Sequence, residues 1–206
     1  MNEKGLLIVI SGPSGTGKGT ICKELLKRND FWLSVSATTR LPRDGEENGK
    51  HYHFLTKEEF KDKIEKKDFL EYAEVYSNYY GTPKSYVLEK LEKGKDVILE
   101  IDIQGALNVK KTYKEGVFIF ILPPSMEELK NRIVNRGSET PESLKTRLQS
   151  AHKEISFVKE YNYAVINDTV EESVKKIESI ILSEKCRVKR INDEIDKNFI
   201  NFKCKE

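Results

Sequence analysis

Between Ile10 and Thr20 the chain reads I-S-G-P-S-G-T-G-K-G-T, a run of residue types suited to holding phosphate. Gly12, Gly15 and Gly17 let the backbone take conformations closed to other residues and approach an anion closely. Their N–H groups can converge on phosphate oxygens at a helix N-terminus, where the helix dipole also favours negative charge. Lys18 adds a full positive charge for the outer phosphates, and Pro13, Ser14 and Thr16 complete the loop. The spacing Gly12-x4-Gly17-Lys18 matches the Walker A pattern, but Gly19 stands where that pattern has Ser or Thr. The hydroxyl comes one place later, at Thr20, which leaves open which hydroxyl approaches a magnesium ion and which a phosphate.

Other stretches carry polar chemistry at fixed spacing. Ser36 to Glu46 reads S-A-T-T-R-L-P-R-D-G-E, followed by Gly49-Lys50-His51-Tyr52-His53-Phe54. Phe69-Leu70-Glu71-Tyr72-Ala73, Asn78-Tyr79-Tyr80-Gly81-Thr82 and Leu99-Glu100-Ile101-Asp102-Ile103-Gln104-Gly105 come next. Glu100 and Asp102, two apart at a strand end, share a face if the strand is regular. Arg132, Arg136 and Arg147 flank Gly137-Ser138, a composition that suits a mobile lid closing over phosphates. Three solvated surface arginines are the plain alternative, and spacing alone does not decide.

The elements that must position these residues are legible as apolar runs and helix starts. Leu6 to Val9 is long enough for a buried parallel strand and too short for a helix, and Ile21, Leu25 and Leu26 fall on one helical face after the loop. Trp32 to Val35, Val97 to Leu99, Val117 to Leu122 and Tyr163 to Ile166 read as further strands. Thr56-x-x-Glu59, Ser125-x-x-Glu128 and Thr169-x-x-Glu172 read as capping boxes, with Phe60 and Ile64 inward. Thr82-Pro83 and Thr140-Pro141 read as N-caps followed by proline at the first helical position. Strands alternating with helices predict an α/β fold with a parallel sheet covered on both faces, its ligands beyond the carboxyl ends of the strands. Residues 36–95, rich in tyrosine, charge and turns, read as a subdomain inserted into that order.

The whole chain sets further bounds. Its 206 residues, 37% hydrophobic, suffice for one domain with inserted subdomains. Lysine plus arginine (36) nearly balance aspartate plus glutamate (34), so no basic footprint for nucleic acid exists. Cys22, Cys186 and Cys204 have no metal spacing and read as reduced thiols. His51, His53 and His152 have no metal or catalytic spacing either. With no signal peptide and no segment of transmembrane length, a cytoplasmic protein without a membrane partner is expected.

Taken together, in order and spacing, these motifs resemble guanylate kinase from about Gly5 to Ser183, the S-x-T-T-R-x-P-R-x-G-E run being the most selective. The resemblance implies a P-loop fold with a five-stranded parallel sheet, an inserted GMP-binding subdomain and a mobile lid. It divides the chain into a domain over 1–184 and a helical extension over 185–206. Within the domain, the core takes about 1–35, 96–131 and 148–184, the GMP-binding subdomain 36–95 and the lid 132–147. It implies an ATP:GMP phosphotransferase, working with magnesium in purine nucleotide metabolism, and leaves turnover with dGMP open.

Guanine offers N1–H and an amine as donors, so a carboxylate facing them selects it over adenine. By resemblance Glu71 takes that place, Asp102 helps at the amine, and Ser36 and Thr82 supply hydroxyls. Arg40, Arg43, Tyr52 and Tyr80 match the positions that hold the GMP phosphate. Lys18 follows the transferring group, with Arg40, Arg136 and Arg147 as its catalytic companions. Gly12 to Thr20, Arg132, Arg136 and Asn167 bind ATP, and Glu100, counted with the GMP-binding residues, lies with Thr20 near the magnesium and phosphates. Three rivals remain at this point: a peptide-binding module of the same architecture, a kinase for another nucleotide and, more remotely, a phosphate-loop regulator without turnover. Oligomeric state stays open.

Beyond Ser183, Val188, Ile191, Ile195 and Phe202 continue the three-four spacing of Val170, Val174, Ile177 and Ile181, with Glu184 as the break and Phe199 filling the last gap. That pattern predicts a last helix that runs on, amphipathic, to pack on its own domain or on a second subunit; a frayed, charged tail is the alternative.

Overall fold

The computed structural model describes residues 4–28, 30–75, 77–135, 141–196 and 200. Strand β1 (Leu7–Ser11), buried along its whole length, is the centre of the fold. It lies between β7 (Val97–Glu100) and β8 (Val117–Leu122), and β2 (Trp32–Leu33) and β9 (Tyr163–Ile166) form the edges. All neighbouring pairs are parallel, with Ile8 opposite both Ile98 and Val117. Strand side chains alternate between faces, so both faces must be covered for such an unbroken apolar run to be stable. Ile8 and Ile10 meet Ile21 and Leu25 of α1 (Lys18–Arg28) and Val174, Ile177 and Ile181 of α7 (Val170–Lys185). Leu7 and Val9 meet Val87 and Leu91 of α3 (Lys84–Glu92) and Ala106 and Val109 of α4 (Ile103–Thr112).

A second, four-stranded sheet has the order β4-β3-β6-β5, built from β3 (Ala37–Thr38), β4 (His53–Phe54), β5 (Phe69–Val75) and β6 (Asn78–Pro83). Here β3/β6 and β5/β6 are antiparallel and β3/β4 parallel. Its small core centres on Phe60 of α2 (Lys57–Glu65), stacked on Phe69 at 4.4 Å between ring centroids and on Tyr79 at 5.4 Å. A third cluster joins Leu129 and Ile133 of α5 (Met126–Val134) to Ala151 of α6 (Pro141–Ile155).

Three expectations about helix ends resolve differently. Thr56 forms the complete capping box with Glu59. Ser125 accepts from the Glu128 N–H, but the Glu128 carboxylate is drawn to Arg132 instead of back to the cap. Thr82 does not cap α3. Strand β6 continues through Pro83, the helix begins at Lys84 without a side-chain cap, and the Thr82 hydroxyl donates to Glu71 at 2.7 Å. Thr140 lies outside the described residues.

The last helix does not run on unbroken. Helix α7 stops at Lys185 and a separate α8 covers Val188–Ile195. Glu184, which interrupts the apolar pattern, is only 2% exposed and gathers the Tyr163 hydroxyl (2.6 Å), Arg190 (2.9 Å) and Arg187 (3.2 Å) around its carboxylate. The chain turns at that cluster, leaving Val188 mostly exposed. Phe199 and Phe202 lie outside the described residues. Among the described residues, no helix is long and apolar enough to cross a membrane.

Candidate active site

The loop between β1 and α1 is shaped by three glycines with positive φ: 141° at Gly12, 90° at Gly15 and 92° at Gly17. At two of them space also excludes a side chain, since a Cβ at Gly12 would stand 2.4 Å from the Ile121 carbonyl oxygen and one at Gly17 2.4 Å from Asn167 Nδ2. The Thr16 hydroxyl donates to the Pro13 carbonyl at 3.0 Å and is spent inside the loop. Ser14 is exposed at its tip. Thr20 opens onto a cleft of about 370 Å³ lined also by Gly15, Gly17, Arg132, Asn167 and Asp168. Of the hydroxyls left open by the sequence, Thr20 therefore faces the cleft and Thr16 does not.

Lys18 curls over its own loop, donating from Nζ to the carbonyls of Gly12 (2.6 Å) and Pro13 (2.9 Å). Burial lowers its pKa, against the opposing pull of Glu100 and Glu154. Glu100 ends β7 beside the loop, where a Cβ on Gly19 would come within 3.3 Å of its Oε1. Burial raises its pKa, and Lys18 and Lys23 work against that rise. Asn167 is 3% exposed and its amide is held at both ends: Nδ2 donates to the Thr16 carbonyl at 2.7 Å and Oδ1 accepts from Ser173 at 2.9 Å. It thus ties the loop to α7, while its backbone carbonyl accepts from Arg132 at 3.1 Å. Arg147 is exposed on α6, and Arg136 lies outside the described residues.

Glu71 sits on β5, 7% exposed, with the Thr82 hydroxyl bound at Oε1. Burial pushes its pKa up to about 7, the Thr82 hydrogen bond opposing and nearby Asp102 reinforcing the rise. Asp102 is the N-cap of α4, its Oδ1 accepting from the Gly105 N–H at 2.8 Å. Because β7 ends at Glu100, strand alternation does not reach Asp102: Glu100 stands beside the loop, and Asp102 caps a helix near Glu71.

Arg40 forms a two-pronged pair with Glu46, Nη1 to Oε2 at 2.9 Å and Nη2 to Oε1 at 3.0 Å. Its guanidinium lies 5.4 Å from the Tyr52 ring centroid and 5.8 Å from that of Phe54, and the Tyr52 ring meets Tyr80 edge-on at 6.1 Å. Glu46 also accepts from the Arg43 backbone N–H at 2.7 Å. The Arg40 fork, then the Arg43 N–H, hold its carboxyl down at about 2. Arg43 itself is exposed, and Ser36 is half-buried where its carbonyl accepts from the His53 N–H.

A family model described as guanylate kinase matches residues 4–184. The chain belongs to the guanylate kinase family. It is 73% identical over 193 residues to a guanylate kinase from Clostridium tetani (strain Massachusetts / E88), covering 94% of this chain and 93% of that one. To a guanylate kinase from Clostridium acetobutylicum it is 70% identical over 195 residues, with 95% and 93% covered. In three dimensions it is similar to the crystal structure of guanylate kinase from Anaplasma phagocytophilum, at a TM-score of 0.81, 33% identity and 97% coverage of both chains.

Within this guanylate kinase fold, sequence reasoning overlooked what Glu46 and Asn167 do. Glu46 was visible only as the last letter of a motif. Its grip on Arg40, six residues back, depends on the turn at Asp44-Gly45, where Gly45 has φ 80°. Asn167, read as a ligand-side residue, does line the cleft, and its buried amide also ties Thr16 to α7, a pairing across 151 residues that no local pattern announces. Glu154 of α6 was not singled out at all, yet it lies within electrostatic reach of Lys18; a lone glutamate at a helix end carries no signal.

Proposed function

We propose that this protein transfers the γ-phosphoryl group of ATP to GMP, giving ADP and GDP, and so recycles GMP in purine nucleotide metabolism. The observation that carries the reading is the buried Glu71–Thr82 pair beside Asp102, in a fold that also wraps a glycine loop around Lys18. The Glu71 carboxylate accepts from guanine N1–H and, with Asp102, from the exocyclic amine; adenine would turn a bare lone pair toward it. The hydroxyls of Ser36 and Thr82 complete the base contacts.

Arg40 and Arg43 hold the GMP phosphate, helped by the hydroxyls of Tyr52 and Tyr80. A planar guanidinium is matched to phosphate as it is to the Glu46 carboxylate it grips. The loop from Gly12 to Thr20 cradles the ATP phosphates. Lys18 leaves the loop carbonyls to follow the transferring group, and Arg132, Arg136 and Arg147 close on the phosphates from the segment 132–147. Phosphoryl transfer needs little covalent help, so charge placement and alignment set the rate.

Magnesium enters with ATP. Among the described residues there is no group of three or more His, Cys, Asp and Glu that could hold a metal ion. The donors present, the Thr20 hydroxyl on the cleft and the Glu100 carboxylate beside Gly19, suit an ion bound mainly through substrate phosphates and its own waters. When bound, it neutralises charge on the β- and γ-phosphate oxygens.

The test is a coupled ADP-release assay with ATP and magnesium, offering GMP, AMP, UMP and CMP in parallel. Turnover with GMP alone is expected, and Lys18→Ala is expected to lower kcat far more than it raises the KM for GMP. Turnover with another monophosphate in place of GMP would overturn the substrate, and nucleotide binding without any turnover would favour a binding module.

A further inference from the structure

Gly105 is the third residue of α4 and touches both base-site carboxylates. Its N–H holds Asp102 Oδ1 at 2.8 Å. On its other side, a Cβ would stand 2.8 Å from Glu71 Oε2 and 3.2 Å from Glu71 Cδ. At Gly5 and Gly81 the blocked Cβ positions face packing obstacles, the Lys95 backbone and the rings of Phe60 and Phe69, and at Gly17 the obstacle is the Asn167 amide that ties the phosphate loop. At Gly105 the obstacle is the tip of a base-site carboxylate.

Helix physics gives no reason for glycine here. Inside a helix glycine is less favourable than alanine, because it loses more backbone freedom on folding. The residue that an added methyl would displace is also clear. Glu71 Oε2 is the free end of a flexible chain, whereas the helix backbone is fixed by its cap and β5 by its pairing of Glu71 with Thr82. A methyl at 105 would swing the carboxylate away, against the Thr82 hydroxyl bond that holds Oε1 at 2.7 Å.

We infer that Gly105 is a specificity-determining positioning residue, whose missing side chain seats the Glu71 carboxylate while its N–H fixes Asp102. The inference rests on the GMP reading above. It separates base reading from fold stability, since one methyl should worsen the first and improve the second.

The experiment is steady-state kinetics and thermal unfolding of the wild-type chain, Gly105→Ala, Glu71→Ala and the double variant, with GMP and AMP as acceptors. Wild-type turnover with GMP tests the underlying reading by itself. Given that turnover, Gly105→Ala is expected to raise the KM for GMP by about tenfold or more, the loss typical of a displaced charged acceptor. The KM for ATP should be unchanged, the GMP-over-AMP preference reduced, and the unfolding temperature unchanged or higher. In the Glu71→Ala background the same substitution should change the KM for GMP by less than about twofold, because the group it displaces is gone. A KM for GMP within about twofold of wild type in the single variant would overturn the inference. So would an equal loss in both backgrounds, or a loss shared with ATP and accompanied by a lower unfolding temperature.

Discussion

At the scale of single residues, two carboxylates organise the proposed acceptor site, and their surroundings drive them apart. Burial pushes Glu71 up to about 7, while the Arg40 fork and the Arg43 N–H hold Glu46 at about 2. Because the base donates to Glu71, GMP binds the ionised form, and below neutrality binding must first expel a proton. GMP affinity should therefore weaken by up to about tenfold per pH unit below about pH 7. Calorimetry across that range would show it, with Glu71→Gln removing this component and leaving the titration of the GMP phosphate, which both proteins share; parallel profiles would refute it. The same burial acts on folding. The folded carboxyl keeps its proton to a higher pH than the unfolded chain, whose value is near 4.5, so burial costs stability above about pH 7 and nothing well below 4.5. Glu71→Gln should then raise the melting temperature at about pH 8, and by less as the pH falls through that window. Glu46 plays a scaffolding part: Glu46→Ala should raise the KM for GMP by about tenfold through a loosened Arg40, with the KM for ATP unchanged. A lower KM would mean that Glu46 competes with the substrate phosphate instead.

At the scale of elements, local rules succeed where local interactions decide. Thr56→Ala removes a cap whose hydroxyl accepts from the Glu59 N–H at 3.1 Å, and should lower stability by about 1 kcal/mol in denaturant titrations without changing kcat. The three central strands of the large sheet were readable because burial on both faces leaves unbroken apolar runs such as Val117–Leu122, while the edge strands β2 and β9 showed only as short apolar stretches, half-buried or partly exposed in the fold. Strands β3 and β4, two residues each, carry no period of their own; β3 owes its order to pairing with β6, forty residues away in the chain. Thr82-Pro83 shows the limit most clearly. A threonine before a proline looks like a helix start, but a buried carboxylate eleven residues earlier outbids the helix for its hydroxyl. Glu184 makes the same point for the tail, where one buried charge with three partners outweighs an apolar spacing that continues past it.

At the scale of the molecule, the proposed site gathers the β1–α1 loop, β5, β6, the end of β7, the cap of α4 and the segment around Arg40 and Tyr52. Their residue types and order were legible as spaced motifs, which is why the family could be recognised from sequence. What was not legible depends on distances between remote segments: the grip of Glu46, the tie made by Asn167, the space left by Gly105. The tail cluster is separable from these. Glu184→Ala should cost about 2 kcal/mol of stability, since it strips a half-buried hydroxyl and two arginines of their acceptor, yet leave kcat and both KM values unchanged. The claim on which the whole account rests is that Glu71 reads the base. It is tested most directly by measuring kcat/KM for GMP and for AMP in the wild-type chain and in Glu71→Gln. The account predicts that the substitution lowers kcat/KM for GMP and collapses the GMP-over-AMP ratio while the KM for ATP holds. An unchanged ratio would contradict it and place the base-reading group elsewhere.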